Sequence, residues 1–243
     1  MIELDTKDCY LKDWCHRYKQ GKECEIFCQK LFRIDALYKN ALLTDKQIRY
    51  KMRQLGTGKD SKLIKEKIID LGNDRNALVS AIKNGQNFYI HSSGCGNGKT
   101  FWAIWLLKKY LNYIWADVDP DECHALFVSV PKFLIELKRN IGGHSDYADT
   151  IINSVLDADL VVWDEVGSKA GTEYEIENLL TIINDRINTG KSNIYTSNVD
   201  GDALRSLLGD RLYSRIISYS DDIEFQGKDL RGAFKNIEKG VDD

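Results

Sequence analysis

An α/β fold built on a parallel sheet is the fold class this sequence predicts, and three observations predict it. A short apolar run at residues 87–91 leads into a glycine-rich turn at residues 93–100, which opens a second apolar run beginning at Phe101. Further apolar runs at 125–130, 160–165 and 193–198 alternate with stretches of helical periodicity, the order that parallel strands joined by crossover helices require. Two of these runs close on polar groups, Asp164-Glu165 and Asn198, at the carboxyl edge where such sheets carry their binding sites.

The turn comes first because it carries the sharpest chemistry. Ser93, Gly94, Cys95, Gly96, Asn97 and Gly98 precede Lys99, Thr100 and Phe101. Glycines let the backbone curl so that several N–H groups point at one anion. The helix starting after Gly98 adds its free N–H groups and its positive dipole end. Lys99 is placed to reach the β- and γ-phosphates of ATP, or the β-phosphate of ADP, and the Thr100 hydroxyl to ligate Mg²⁺. The common pattern opens with glycine where this chain has Ser93, and Gly94, Gly96 and Gly98 supply the flexibility instead.

A strand at 125–130 follows, and Pro131 opens the helix carrying Phe133, Leu134 and Leu137, since proline is pre-organised for a first helical turn. The strand ending in Asp164-Glu165 offers two carboxylates. Neighbouring strand residues point to opposite sides, so Asp164 is assigned to the Mg²⁺ shell and Glu165 to the attacking water. Asn198 is read as orienting that water or touching the γ-phosphate, with a turn-capping Asn before Asp200-Gly201 as the plainer alternative. Arg211 and Arg215 fall one helical turn apart, so that either can serve a neighbouring subunit as a charge-neutralising finger or form a surface ion pair. Arg231 is a late cation at the expected start of a last helix.

The beginning of the chain is of another character. Of six cysteines, Cys9, Cys15, Cys24 and Cys28 fall within the first 28 residues. Disulfides do not persist in the cytosol, so clustered thiols there point to metal, and two thiol pairs about the turn-like residues 19–22 suit a closed, tetrahedral, structural Zn²⁺ site. His16 is an alternative to one of the four ligands; four reduced thiols packed as small apolar groups is the plainer reading. So short a segment buries too little to hold itself, and the metal would be its core. Tyr10, Trp14, Tyr18, Phe27 and Phe32 either pad that site or form a docking surface.

Residues 25–38 have helical spacing, residues 44–67 are polar and basic and broken by Gly56-Thr57-Gly58, and residues 63–82 are helical again. Charge divides along the same line: residues 1–85 carry 18 Lys+Arg against 12 Asp+Glu, and the rest is acidic, within an overall charge of −3. A basic front suits nucleic acid or an acidic protein partner, and equally an uneven surface with neither. Hydrophobic content of 43% and charged content of 29% are ordinary for a globular protein. No apolar run approaches a membrane span, and the start lacks the basic-then-apolar order of a signal peptide, so a cytoplasmic location with no membrane partner is expected.

The phosphate loop, the Asp-Glu strand, the Thr-Ser-Asn strand end, Gly-Asp-Arg-x-x-x-Arg and the late Gly-x-x-x-Arg together resemble the AAA+ ATPases of the DnaC/DnaI helicase-loader family over residues 86–235. The cysteine-bearing front resembles the zinc-binding amino-terminal region of DnaI-type loaders. The resemblance implies an AAA+ P-loop NTPase, a three-layer α/β sandwich with a parallel sheet and a short C-terminal lid, preceded by a small zinc-binding domain. It implies residues 1–45 as the helicase-binding zinc domain, 46–65 as a basic linker and 66–243 as the ATPase. Lys99 and Thr100 then match Walker A, Asp164 and Glu165 Walker B, Asn198 sensor 1 and Arg231 sensor 2. Arg215 matches the arginine finger, with Arg211 the second choice. The implied function is ATP-dependent delivery of a hexameric DnaB-type replicative helicase onto single-stranded DNA during replication initiation, by subunits assembled side by side. Only 28 residues follow Arg215, which suits the short lid of this family better than AAA+ proteins at large. Two alternatives stand beside it. An IstB-like AAA+ adaptor for transposition is not expected to begin with a thiol cluster, and Glu165 argues against a nucleotide-dependent switch with little turnover.

Overall fold

A computed structural model describes residues 22–49, 65–140 and 146–225. In chain order its elements are α1 (Lys22–Asn40), α2 (Asp45–Ile48), one π-helical turn (Lys65–Ile69) running into α3 (Asp70–Asn73), α4 (Arg75–Lys83), β1 (Asn87–His91) and α5 (Lys99–Ile114). Then come β2 (Ala125–Ser129), α6 (Val130–Asn140), α7 (Asp146–Asp157), β3 (Leu160–Asp164), α8 (Glu173–Asn188), β4 (Ser192–Ser197), α9 (Gly201–Ser218) and β5 (Ser220–Glu224). The strands form one sheet in the order β2-β3-β4-β1-β5, and every pairing is parallel.

A parallel sheet is covered on both faces, so its central strands read as continuous apolar runs. That is why residues 160–164 and 192–197 are buried throughout. Alternate side chains divide between two cores. Phe88, Ile90, Leu160, Val162 and Ile194 face a core completed by α5, α4 and the end of α1. Tyr89, Val161, Trp163 and Tyr195 face the core under α6, α8 and α9. Helix α5 lies deep in the first core, with Trp102, Ala103, Ile104, Leu106, Leu107, Tyr110 and Leu111 all buried. The expected three-layer α/β arrangement is therefore present.

Three element boundaries differ from expectation. The helix expected over 63–82 is interrupted at Asp74, whose carboxylate accepts from the Ala77 N–H at 3.0 Å and starts α4 afresh. An N-cap of this kind satisfies a backbone donor that a continuous helix would not need to have capped. Gly209, at φ +76°, divides α9 into two pieces within one expected helix. Residues 37–43, assigned from sequence to the separate front segment, pack into the sheet's own core through Leu37, Tyr38, Ala41 and Leu43. The Ala41 carbonyl accepts from the Phe127 N–H at 3.0 Å, which satisfies one backbone donor on the outer edge of β2. Arg33 donates to the Trp115 carbonyl at 2.9 Å and Asn40 to the Pro120 carbonyl at 2.8 Å. The end of α1 is thus sewn to the α/β layers.

Gly72 in α3 lies under the Trp105 ring, and a Cβ there would meet Trp105 at 2.2 Å and Leu106 at 3.2 Å. Gly72→Ala is expected to cost about 1–3 kcal/mol by overpacking, read as a lowered midpoint in chemical denaturation. Among the described residues no helix is long and apolar enough to cross a membrane.

Candidate nucleotide-binding site

The phosphate loop closes around Ser92, the residue just before the motif. Its buried hydroxyl donates to the Gly94 carbonyl at 2.7 Å and accepts from the Asn97 amide at 2.7 Å and from Lys99 Nζ at 2.6 Å. Lys99 Nζ also donates to the Gly94 carbonyl at 2.7 Å and to Asn97 Oδ1 at 2.9 Å. Lys99 is 5% exposed, and the three oxygens that accept these hydrogen bonds from its ammonium are neutral. A buried cation whose hydrogen bonds run to neutral loop oxygens is a strong attractor for an anion. Gly96 and Gly98 lie at φ +77° and +97°, the left-handed region that lets the backbone fold over the amine and then enter α5. Ser93, by contrast, is exposed, so the departure from glycine at the motif's first position meets no crowding.

Thr100, in the first turn of α5, joins the second half of the site. Its hydroxyl donates to Asp164 Oδ1 at 2.8 Å, and the Thr196 hydroxyl donates to the same oxygen at 2.7 Å. Asp164 closes β3 and is buried. Burial pushes its carboxyl above the usual carboxylate range, while the hydrogen bonds from Thr196 and Thr100 pull it back down. The charge of Glu165 pushes it up and that of Lys99 pulls it down. The set of a threonine hydroxyl and a carboxylate is one of hard oxygen donors, which suits Mg²⁺. Because Thr100 spends its proton on Asp164, its oxygen lone pairs remain for a cation.

Glu165 is exposed and lies one residue past the strand, at φ +63°. Its orientation therefore comes from a left-handed turn rather than from strand alternation, the reason expected from sequence. That conformation is unfavourable for a residue with a Cβ. It is held by the Glu165 N–H on Thr196 Oγ1 at 3.0 Å and the Val166 N–H on the Thr196 carbonyl at 2.8 Å. Glu165 lines a groove with Val130, Pro131, Leu134 and Leu208.

The structure brings Lys99, Thr100, Asp164 and Glu165 to one sheet edge, and Asn198 follows immediately after β4, half-exposed. Phe101 lies on α5, edge-on to Trp102 at 5.4 Å, and Cys95 is exposed on the loop. The two candidate finger arginines, both on α9, are engaged elsewhere. Arg211 pairs with Glu177 at 3.1 Å, and Arg215 donates to the Tyr219 hydroxyl at 3.0 Å and stacks over its ring. Arg231, Cys9, Cys15 and His16 lie outside the described residues. So do the side chains of Cys24 and Cys28, whose backbones are one turn apart on α1. Among the described residues no cluster of three or more His, Cys, Asp or Glu could hold a metal ion.

Sequence reasoning passed over three residues. Ser92 sits one place ahead of the motif, and only the strand–loop geometry makes it the hub. Thr196 stood in the Thr-Ser-Asn strand end but was given no role. Arg186 reads as an ordinary helix charge, yet it is 0% exposed at the opposite edge of the sheet. It donates to the Val155 carbonyl, the Ala158 carbonyl at 2.8 Å, the Ser192 carbonyl at 2.6 Å and Asn193 Oδ1 at 2.7 Å.

No family model and no curated protein sequence matches the chain. Solved structures do. The DnaC helicase loader superposes with a TM-score of 0.61 at 19% identity, over 75% of this chain and 100% of that one. DnaI gives 0.55 at 21% identity, over 78% and 94%. DnaA from Aquifex aeolicus, bound to AMPPCP, gives 0.53 at 20% identity, over 76% of this chain and 53% of its own, so this chain spans about half of that protein. The strand order, the position of the phosphate loop and these superpositions agree: the chain has the AAA+ fold of the DnaC- and DnaI-type proteins.

Proposed function

We propose that this chain is an ATP-dependent helicase loader, a AAA+ ATPase that delivers a replicative helicase of the DnaB type onto single-stranded DNA during replication initiation. The observation that carries the reading is the juxtaposition of a buried Lys99 on neutral loop oxygens with the Thr100–Asp164–Thr196 hydroxyl–carboxylate cluster. Triphosphate binding would exchange the contacts of Lys99 with Ser92, Gly94 and Asn97 for phosphate oxygens, trading dipoles for full charges. Thr100 and Asp164 would hold Mg²⁺, which supplies neutralisation of phosphate charge when bound. Glu165, exposed at the same edge, accepts the proton of the attacking water, and Asn198 orients that water. Arg215, or Arg211 in its place, would leave its partner in the isolated chain to complete a neighbour's site in a side-by-side assembly, and Arg231 would touch the nucleotide in cis.

Zn²⁺ held by Cys9, Cys15, Cys24 and Cys28 belongs to the same proposal, as does helicase docking by the segment preceding the packed half of α1. The similarity to DnaC and DnaI supports the replication role, and the AMPPCP-bound relative supports the choice of an adenine nucleotide. Lys99→Ala is expected to weaken ATP binding at least ~10-fold, as loss of a charge-assisted contact worth about 1.5–3 kcal/mol implies. A fluorescent ATP analogue titrated against both proteins measures it. The loader role itself is tested by co-purification with a replicative helicase, with and without ATP. A complex whose yield depends on nucleotide supports it, and absence of a complex in both states overturns it.

A further inference from the structure

The geometry assigns Thr196 as the positioning residue for both carboxylates of the site, setting the Mg²⁺ affinity of Asp164 and the placement of Glu165 through one hydroxyl. This rests on the nucleotide-binding reading and deepens it. A single side-chain oxygen does two things at once: Oγ1 donates to Asp164 Oδ1 at 2.7 Å and accepts the Glu165 N–H at 3.0 Å. Thr196 is 2% exposed on β4, beside β3, so it reaches both residues from within the sheet.

The chemistry follows from the direction of those bonds. The hydroxyl protons of Thr100 and Thr196 both land on Oδ1 of Asp164. Two donors on one oxygen fix the carboxylate plane and leave Oδ2 as the oxygen turned to the cation or its water. Outer donors of this kind orient a metal-binding carboxylate, and their loss commonly costs 10–100-fold in metal affinity. The second bond acts on the backbone. Glu165 holds φ +63°, a conformation that persists only where neighbours impose it. Without the Oγ1 acceptor its N–H would turn away, carrying the side chain with it.

Thr196→Val keeps the branched shape and removes the hydroxyl; Thr196→Ser keeps the hydroxyl. Affinity for a fluorescent ATP analogue is measured with Mg²⁺ and with EDTA, and the ratio of the two is the Mg²⁺ gain. Thr196→Val is expected to match wild type in EDTA and to lose about 10-fold or more of the Mg²⁺ gain, with kcat falling and KM for Mg²⁺-bound ATP rising in step with the lost gain. Thr196→Ser restores the gain. The EDTA affinity serves as the control for folding, and Thr196→Ala is a second hydroxyl-free variant should Val perturb the strand. A wild-type Mg²⁺ gain in Val and Ala overturns the role of Thr196 while leaving nucleotide binding intact. Failure of the wild type to bind the analogue in either condition overturns the underlying reading and this role with it.

Discussion

Glu165→Gln is expected to abolish turnover while sparing the nucleotide. Glutamine keeps the size of the side chain and its polar tip but cannot take a proton from water. Its backbone N–H still reaches Thr196, so the left-handed turn is retained. General bases contribute about 10²–10⁴-fold to such reactions, and steady-state hydrolysis should fall by that factor with ATP affinity unchanged within about 2-fold. A protein that binds ATP without consuming it should also hold its helicase complex longer, since release is the step hydrolysis would drive. Equal, low turnover by wild type and variant would remove the enzyme reading and leave a nucleotide-dependent switch.

Arg186→Met is expected to have the largest effect on stability. The guanidinium is fully buried, and burial lowers its pKa to about 10. It ties the end of α7, the entry to β3, the end of α8 and the start of β4 by donating to three carbonyls and to Asn193. Asn193 is itself bonded to Asn87 across the sheet at 2.9 Å and accepts from the Trp163 indole at 3.0 Å. Methionine fills much of the volume and makes none of these bonds. Orphaned buried acceptors cost about 1–3 kcal/mol each before relaxation, so a net loss of about 3–5 kcal/mol is expected. At this chain length that lowers the melting temperature by roughly 10 °C. ATP binding at low temperature should survive, because the network lies at the edge of the sheet away from the phosphate loop. An unchanged melting temperature would show that the network is replaceable by water.

What the sequence made legible is what backbone geometry demands. Gly96 and Gly98 must be glycines for the loop to bend as it does, so their spacing was visible, and apolar runs ending in Asp164 and Asn198 marked strand ends directly. Residues whose role depends on the register between strands left no such mark. Thr196 matters because β4 lies beside β3 and places its hydroxyl on Asp164, a relation between positions 32 apart. Ser92 looks like one of two loop serines until the lysine is seen to fold back on it. Arg186 follows the pattern of a solvent-facing charge, and only the packing of α8 over the strand entries buries it. The interruption at Asp74 did have a local signal, an Asp three residues before the amide it caps, but the apolar spacing ran through it and concealed the break. The joining of α1 to the core was concealed differently: Leu37, Tyr38 and Ala41 are as suited to a small separate domain as to this one.

The central claim is that Lys99, Thr100 and Asp164 form a site for a magnesium-bound nucleoside triphosphate. Calorimetric titration of the folded wild-type chain with ATP and Mg²⁺ tests it most directly. The account predicts saturable binding of one nucleotide per chain that Lys99→Ala weakens at least ~10-fold; no heat of association from the wild type, or equal binding by the variant, would contradict it.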